Sequence, residues 1–174
     1  MEYTHFEIDR MLGSMTVLVD TREQDTPALR ARLEGLKRPF RRCKLEYGDY
    51  SCEITKPDGT ITSAANKIAI ERKMNLDEVC MCFTSGRERF EREFKRAKQG
   101  GAKVYLLIEN ASIDKALAGT YRSRMNPDAL VASILAWCAR YNLTPWFCQQ
   151  KNTGKLIARI LRYEVKAMLD RGEL

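Results

Sequence analysis

The stretch Ile68-Ala69-Ile70-Glu71-Arg72-Lys73 is a short apolar run that ends in three charged residues. Residues i and i+2 of a strand point to the same face of a sheet, so Glu71 and Lys73 are predicted to share one face and Arg72 to point to the other. A carboxylate beside an ammonium group makes a poor core and a good place for a metal ion and a phosphate. The alternative is an ordinary surface salt bridge on an edge strand, because such pairs are common and weakly stabilising.

The composition is that of a folded globular domain. Of 174 residues, 44% are hydrophobic and 30% are charged, which differs from disordered and membrane chains. No apolar run approaches the roughly 18 residues of a membrane span, and Met1 to Asp20 lacks the form of a signal peptide. The sequence therefore predicts a cytoplasmic protein with no membrane partner. A lead-in at 1–14 is expected to precede a single domain at 15–174.

The charge of the chain favours a polyanionic partner, since the formal net charge is +7 and basic proteins attract polyanions. A solvated face is the alternative interpretation of each basic group. The basic residues form two clusters, one of Lys37, Arg38, Arg41, Arg42 and Lys44, and one of Arg87, Arg89, Arg92, Lys95, Arg96 and Lys98.

The six cysteines lack the spacing of a zinc site. Cys80 and Cys82 form a C-x-C pair rather than C-x-x-C, and His5 is the only histidine, so a Cys/His zinc site is not predicted. We expect buried, reduced thiols. Histidine-based acid–base catalysis is also disfavoured, because His5 lies in the expected lead-in.

Strand and helix patterns alternate along the chain. Met15 to Val19 is a β-branched run, and Lys103 to Glu109 is the clearest central strand, because a near-continuous apolar run implies that both faces are covered. Asn126-Pro127-Asp128 is a strong helix start. This alternation predicts an α/β domain with a mixed central sheet and helices on both faces. In such sheets, functional residues gather at strand ends.

Four carboxylates fit that placement. Asp20 ends one predicted strand, Glu23 follows in the next loop, Asp49 lies beyond a second strand and Glu71 closes a third. If they converge, a hard divalent cation would offset their repulsion, and carboxylate ligands suit Mg²⁺ or Mn²⁺. Such a metal can activate water at a phosphodiester. Lys73 could orient that water or stabilise the developing negative charge.

The order of several short blocks resembles the signature of the XPF-type structure-specific endonucleases. This family is a branch of the restriction-endonuclease-like PD-(D/E)xK superfamily, so the resemblance implies a restriction-endonuclease-like fold. The match extends from about Thr16 to Cys148. Its central blocks are Val19-Asp20-Thr21-Arg22-Glu23, Gly48-Asp49-Tyr50 and Glu71-Arg72-Lys73-x-x-x-Asp77, and its further blocks are Ser85-Gly86-Arg87, Tyr105 to Glu109, and Pro127 to Leu130 with Trp137 and Arg140-Tyr141.

The resemblance implies a role for each matching residue. The metal ligands would be Asp20, Glu23, Asp49 and Glu71, and the catalytic set would be Asp20, Asp49, Glu71 and Lys73. Arg22 and Arg72 would contact phosphate or support the site. Asp77 would support the site, or instead cap a helix or pair with Arg72 or Lys73. DNA contacts are expected from Arg87, Arg41 and Arg42, with a solvated face as the alternative.

The chain also departs from the family pattern. Asp49 and Glu71 are 22 positions apart, more than in the shorter eukaryotic forms, so a hairpin over Ser51 to Ile70 is expected to be extended. The sequence contains no helix-hairpin-helix pair and no helicase domain, and in this it resembles compact bacterial or phage members of the family. The resemblance implies a protein that is associated with the nucleoid when it is bound to DNA. Because those modules recognise branched DNA in the family, their absence puts junction specificity in doubt.

The leading hypothesis is a Mg²⁺- or Mn²⁺-dependent endonuclease that cuts branched or flapped DNA, as a homodimer or with a partner protein. One alternative is a non-catalytic DNA-binding subunit, against which the presence of Asp49, Glu71 and Lys73 argues. Another is a single-strand or RNA nuclease, which the charge pattern does not exclude because phosphate contacts carry little sequence information.

Overall fold

The computed structural model describes residues 3–174. Strands alternate with helices over most of this length. The strands are β1 (Thr16–Asp20), β2 (Phe40–Cys43), β3 (Tyr50–Thr55), β4 (Ile61–Ser63), β5 (Ile68–Lys73), β6 (Lys103–Glu109) and β7 (Leu143–Cys148). The α-helices are α1 (His5–Gly13), α2 (Pro27–Leu36), α3 (Leu76–Phe83), α4 (Arg87–Gln99), α5 (Ile113–Leu117), α6 (Pro127–Tyr141) and α7 (Thr153–Asp170), and a 3₁₀ turn (Gln150–Asn152) precedes α7.

One seven-stranded mixed sheet organises the domain. Its order is β2-β1-β3-β5-β6-β7, and β4 pairs with β3 beside this path. The β5–β6–β7 segment is parallel, whereas β3 runs antiparallel to both β1 and β5. Parallel neighbours need crossover connections, and α3, α4 and α6 supply them.

Helices cover both faces of the sheet, which confirms the predicted α/β fold. On one face α1, α2 and α7 pack against inward side chains that include Tyr105 and Leu107. On the other face α3, α4 and α6 pack against Val104, Leu106 and Ile108. Alternate residues of β6 thus enter opposite cores, as expected of a central strand buried on both sides.

The ends of three strands meet at one edge of the sheet. The Asp20 N–H donates to the Asp49 carbonyl at 2.8 Å, and the Asp49 N–H donates to the Ile70 carbonyl at 2.8 Å. These two bonds bring the end of β1, the start of β3 and the end of β5 together. They place Asp49 beside Glu71.

The expected lead-in at 1–14 contains a helix in the part that the structure describes; Met1 and Glu2 lie outside the described residues. His5–Gly13 is a helix that begins with a capping box between Thr4 and Glu7. Ile8, Met11 and Leu12 are buried in the same core as α7. Their i, i+3, i+4 spacing was the signal for this helix.

Residues 51–70 hold the expected long connection. β3 and β4 pair antiparallel around a turn in which the Gly59 N–H donates to the Lys56 carbonyl at 2.9 Å. A second turn follows β4 and leads into β5. Within residues 3–174, no helix is both long and apolar enough to cross a bilayer.

Candidate active site

A cavity of about 620 Å³ opens at the edge where β1, β3 and β5 meet. Its lining is almost entirely charged, which suits a charged ligand rather than an apolar one. The acidic lining residues are Glu23, Asp49, Glu71, Glu78 and Glu93, the basic ones are Arg22, Arg72, Lys73, Arg89, Arg92 and Arg96, and Gln24 completes the wall.

Glu71 and Lys73 form a buried ion pair at the floor of this cavity, which confirms that they share one face of β5. Burial raises the pKa of the Glu71 carboxyl. Burial opposes the charge of Lys73, but the charge and hydrogen bond of Glu71, together with other groups that include Asp49, outweigh burial and raise the pKa of Lys73. The Lys73 ammonium also lies 4.2 Å from the centre of the Phe90 ring, which favours its charged form. Lys73 is therefore a fixed cation.

Asp49 faces the same cavity from the start of β3. Its Oδ2 accepts a hydrogen bond from the Arg72 N–H at 2.8 Å. Burial, followed by the negative charge of Glu71, raises the pKa of Asp49 well above its ordinary value. Two carboxylates that oppose each other's ionisation in one cavity create a site that a cation would stabilise.

The donor chemistry of the cavity fits a small, hard divalent cation. Within residues 3–174, no three acidic, histidine or cysteine side chains converge into a complete ligand cluster. Mg²⁺ commonly binds through one or two carboxylates, with water and substrate phosphate completing its shell. Asp49 and Glu71 supply two such carboxylates, and Glu93 adds another acid to the wall.

The structure places Asp20 outside the cavity lining, unlike the sequence-based expectation. Its fully buried carboxylate accepts hydrogen bonds from the Arg22 N–H and the Leu45 N–H, each at 2.7 Å, and from the Arg22 side chain. Burial opposes ionisation of Asp20, but these hydrogen bonds outweigh it and lower its pKa. Asp20 thus joins the loop after β1 to the loop after β2.

Glu23 lines the cavity but is held by neighbours. Its Oε2 accepts from Arg32 Nη1 at 3.0 Å and from the Tyr50 hydroxyl at 2.8 Å. Arg72 lies between Glu23, at 3.6 Å, and Glu109, at 3.3 Å. The Arg72 Nε is buried without a hydrogen-bond partner among residues 3–174, so this guanidinium retains an unused donor.

Arg22 lines the cavity, whereas Asp77 makes its contacts outside it. Arg22 binds Asp20 with its Nε and lines the cavity with its exposed guanidinium. Asp77, in the first turn of α3, accepts from the N–H groups of Arg122 and Ser123 at 2.8 and 2.7 Å. Asp77 therefore fixes the loop before α6 and pairs with neither Arg72 nor Lys73.

The three arginines expected to contact DNA all lie outside the cavity lining. Arg87 pairs with Glu91 on α4 at 3.1 Å. Arg41 pairs with Glu53 across the sheet at 2.6 Å. Arg42 donates to the carbonyls of Thr21 and Glu23 and so holds the loop after β1.

Three cavity residues, Gln24, Glu78 and Glu93, were not among the sequence-based candidates, whereas Arg89, Arg92 and Arg96 belong to the second basic cluster noted in the sequence. Glu93 is buried, and its Oε1 accepts a hydrogen bond from the Gly48 N–H at 2.9 Å. A signal for Glu93 existed, because it lies at helical spacing beside the apolar stripe that contains Phe90 and Phe94. No comparable signal separates the cavity-facing arginines from the other basic residues of α4.

The ERCC4 domain model matches residues 19–160, and the chain belongs to this family. The match confirms the resemblance to XPF-type nuclease domains. Among solved structures, the chain is similar to XPF from Aeropyrum pernix, with 22% identity and a TM-score of 0.60 over 84% of this chain and 65% of that one. It is similarly related to XPF from Aeropyrum pernix in complex with DNA, with 22% identity and a TM-score of 0.62 over 87% and 66%.

These two structures share the fold of this chain. The chain spans just under two thirds of the length of either XPF chain. No curated protein matches it.

Proposed function

We propose that the protein is a divalent-metal-dependent DNA endonuclease that hydrolyses phosphodiester bonds. The observation that carries this proposal is the cavity in which Asp49, Glu71 and the cationic Lys73 lie together under a rim of arginines. Membership of the ERCC4 domain family and the likeness to an XPF structure in complex with DNA support DNA as the substrate.

Asp49 and Glu71 are the proposed ligands of Mg²⁺ or Mn²⁺, with Glu93 close to them in the cavity wall. When bound, such an ion would supply Lewis-acid activation of water and charge stabilisation at the phosphorus centre. Asp20 and Glu23 have an indirect role in this proposal, because their oxygens are occupied by neighbouring residues.

Lys73 would stabilise the negative charge that develops on the phosphate oxygens. Its buried ammonium is already oriented by Glu71 and the Phe90 ring, so little reorganisation is needed during the reaction. Arg22 and Arg72 line the same cavity and would bind the phosphodiester. Arginine suits this role because its planar fork of donors matches phosphate oxygens.

Branched or flapped DNA remains our proposed substrate, and a homodimer or a complex with a partner protein the proposed assembly. Leu135 on α6 and Tyr163 on α7 are 61% and 68% exposed, so both helices present side chains that a partner could cover. The proposed site of action is the cytoplasm, at the nucleoid when DNA is bound.

The test is cleavage of labelled plain duplex, nicked duplex, fork and flap DNA, and single-stranded DNA and RNA, with Mg²⁺, Mn²⁺ or EDTA. We expect metal-dependent cutting of fork or flap that Asp49→Asn and Lys73→Ala each reduce by at least about 100-fold. Asp58→Asn, in the exposed turn between β3 and β4, is the matched control and should cut normally.

Binding without cutting in either metal would contradict the proposal and favour the non-catalytic DNA-binding subunit. Preferential cutting of RNA or of single strands would favour the alternative of a single-strand or RNA nuclease. Equal cutting of all duplex forms would support the proposed endonuclease activity and contradict the proposed preference for branched DNA.

A further inference from the structure

Three arginines of α4 form a row along the rim of the cavity. Arg89, Arg92 and Arg96 all line it, together with the buried Glu93. With 3.6 residues per turn, these four positions fall within a sector of about 100° on one side of the helix. The row therefore faces the same space as Asp49 and Lys73.

The row is held at a fixed position relative to the proposed reaction centre. Glu93 binds the Gly48 N–H, directly before Asp49, at 2.9 Å. On its apolar side, α4 packs Phe94 against Trp137 with ring centres 5.3 Å apart. The arginines thus project from a helix that is fastened both to the loop carrying Asp49 and to α6.

The charges of the row are little used within the protein. Within the range 3–174 the Arg96 side chain makes no salt bridge, and Arg92 makes only a long contact of 3.7 Å to the exposed Glu88. Arg89 lies 4.9 Å from the Phe90 ring and forms no salt bridge in that range either. By contrast, Arg72 in the same cavity contacts two carboxylates, Glu23 and Glu109. The three arginines of the row are therefore free to bind a ligand in the cavity.

The spacing of the row suits a polynucleotide strand. From Arg89 to Arg96 the helix rises about 10 Å at 1.5 Å per residue, and successive phosphates of one strand advance about 3.4 Å along the duplex axis. We propose that the row binds consecutive phosphates of one DNA strand, adjacent to the phosphodiester held over Asp49 and Lys73. This inference rests on the proposed function and names the element that positions its substrate.

The experiment compares two double variants that remove the same charge from the same helix. Arg92→Ala with Arg96→Ala removes two cavity-facing cations. Lys95→Ala with Lys98→Ala removes two exposed cations that do not line the cavity, although Lys98 also donates to the Arg140 carbonyl at 2.6 Å. Equilibrium binding of a labelled fork DNA is measured between 50 and 200 mM salt (about the range over which phosphate contacts are resolved), with EDTA present to prevent cutting. Thermal melting verifies that both variants are folded.

We expect the arginine variant to bind DNA at least about tenfold more weakly at the lower salt concentration. Its negative slope of log K against log salt should become less steep by about two, since each lost phosphate contact accounts for about 0.9. The lysine variant should change both quantities much less.

Equal weakening by the two double variants would overturn the inference, since the effect would then reflect net charge. An unchanged salt slope in the arginine variant would overturn it as well. Failure of the proposed function looks different: the wild type would show row-dependent binding and no cleavage with either metal.

Discussion

Glu93 and Gly48 are joined by a hydrogen bond of 2.9 Å from the Gly48 N–H to the Glu93 Oε1, across 45 positions of sequence. This bond fastens α4 to the residue directly before Asp49. Gly48 has φ of +72°, and a Cβ at this position would lie 2.8 Å from the Cβ of Ala69 on β5. The backbone that presents Asp49 is therefore held between a helix on one side and a strand on the other.

Replacing Glu93 tests this positioning role. Glu93→Ala should lower kcat on DNA by about 100-fold, because a shift of about 1 Å in a catalytic group is sufficient for a loss of that size. Glu93→Gln keeps an acceptor oxygen for the Gly48 N–H and should remain within about tenfold of wild type. Single-turnover cleavage at saturating DNA measures both. If the two variants lose activity equally, the charge of Glu93 matters rather than its hydrogen bond.

Gly48 is expected to tolerate no side chain. Gly48→Ala adds a left-handed backbone strain to a contact of 2.8 Å with Ala69, so it should destabilise the fold by about 2–3 kcal/mol. Gly59 separates the backbone strain from the close contact, because it has φ of +86° but open space where a Cβ would lie. Gly59→Ala should cost only the backbone term, about 1 kcal/mol. Urea unfolding of both variants measures the difference, and equal losses would contradict the contact.

Arg32 is the centre of a buried ion network behind the cavity. Its guanidinium contacts Glu23 at 3.0 Å, Glu109 at 3.3 Å and the Tyr50 hydroxyl at 2.9 Å. Arg32→Met leaves buried carboxylates without this partner, and we expect a loss of about 3 kcal/mol in the free energy of unfolding.

Arg30→Met is the matched control for this change. Arg30 lies on the same helix and pairs with Asp25 in an exposed salt bridge, so its loss should hardly change stability. Denaturant unfolding measures both variants. If Arg30→Met lowers the free energy of unfolding as much as Arg32→Met does, the effect comes from substitution in α2 and not from loss of the buried ion network.

Asp77 should contribute stability that depends on pH. Although burial opposes its charge, hydrogen bonds from the Ser123 and Arg122 N–H groups lower the pKa of Asp77. A carboxyl with a lowered pKa in the folded state stabilises it above the unfolded-state pKa, and this contribution is lost as the pH falls through the folded-state pKa.

Asp77→Ala should therefore cost about 1–2 kcal/mol at pH 7. The difference from wild type should narrow as the pH falls below about 4. Thermal or denaturant unfolding of both proteins from pH 7 to pH 3 measures this trend. A difference that does not change with pH would mean that the charge of Asp77 has no part in holding the loop before α6.

Much of the fold could be predicted from local patterns. The apolar run of β6 indicated a strand covered on both faces, and the Asn126-Pro127 start of α6 was read from capping chemistry alone. The pairing of Glu71 with Lys73 followed from the two-residue period of a strand. α1 was missed because its apolar residues are few, although Ile8, Met11 and Leu12 had the required spacing.

The remaining features depend on contacts between distant parts of the chain. Asp20 ends its strand as predicted, but the Leu45 N–H, 25 positions away, occupies its Oδ2. The direction of the α4 arginines depends on how Glu93 meets Gly48, which no local pattern of α4 contains. Arg41 is likewise paired across the sheet with Glu53. Such long-range partners decide which charged residues remain available for a ligand.

The most direct test of the proposed nuclease is cleavage by Asp49→Asn at matched DNA occupancy. The substitution keeps the shape of the side chain and removes a carboxylate whose burial beside Glu71 raises its pKa. With Mg²⁺ and a labelled fork bound to the same extent as for wild type, we predict that cutting falls by at least about 100-fold while DNA binding is retained. Wild-type cutting rates in Asp49→Asn would contradict the assignment of this cavity as the site of phosphodiester hydrolysis.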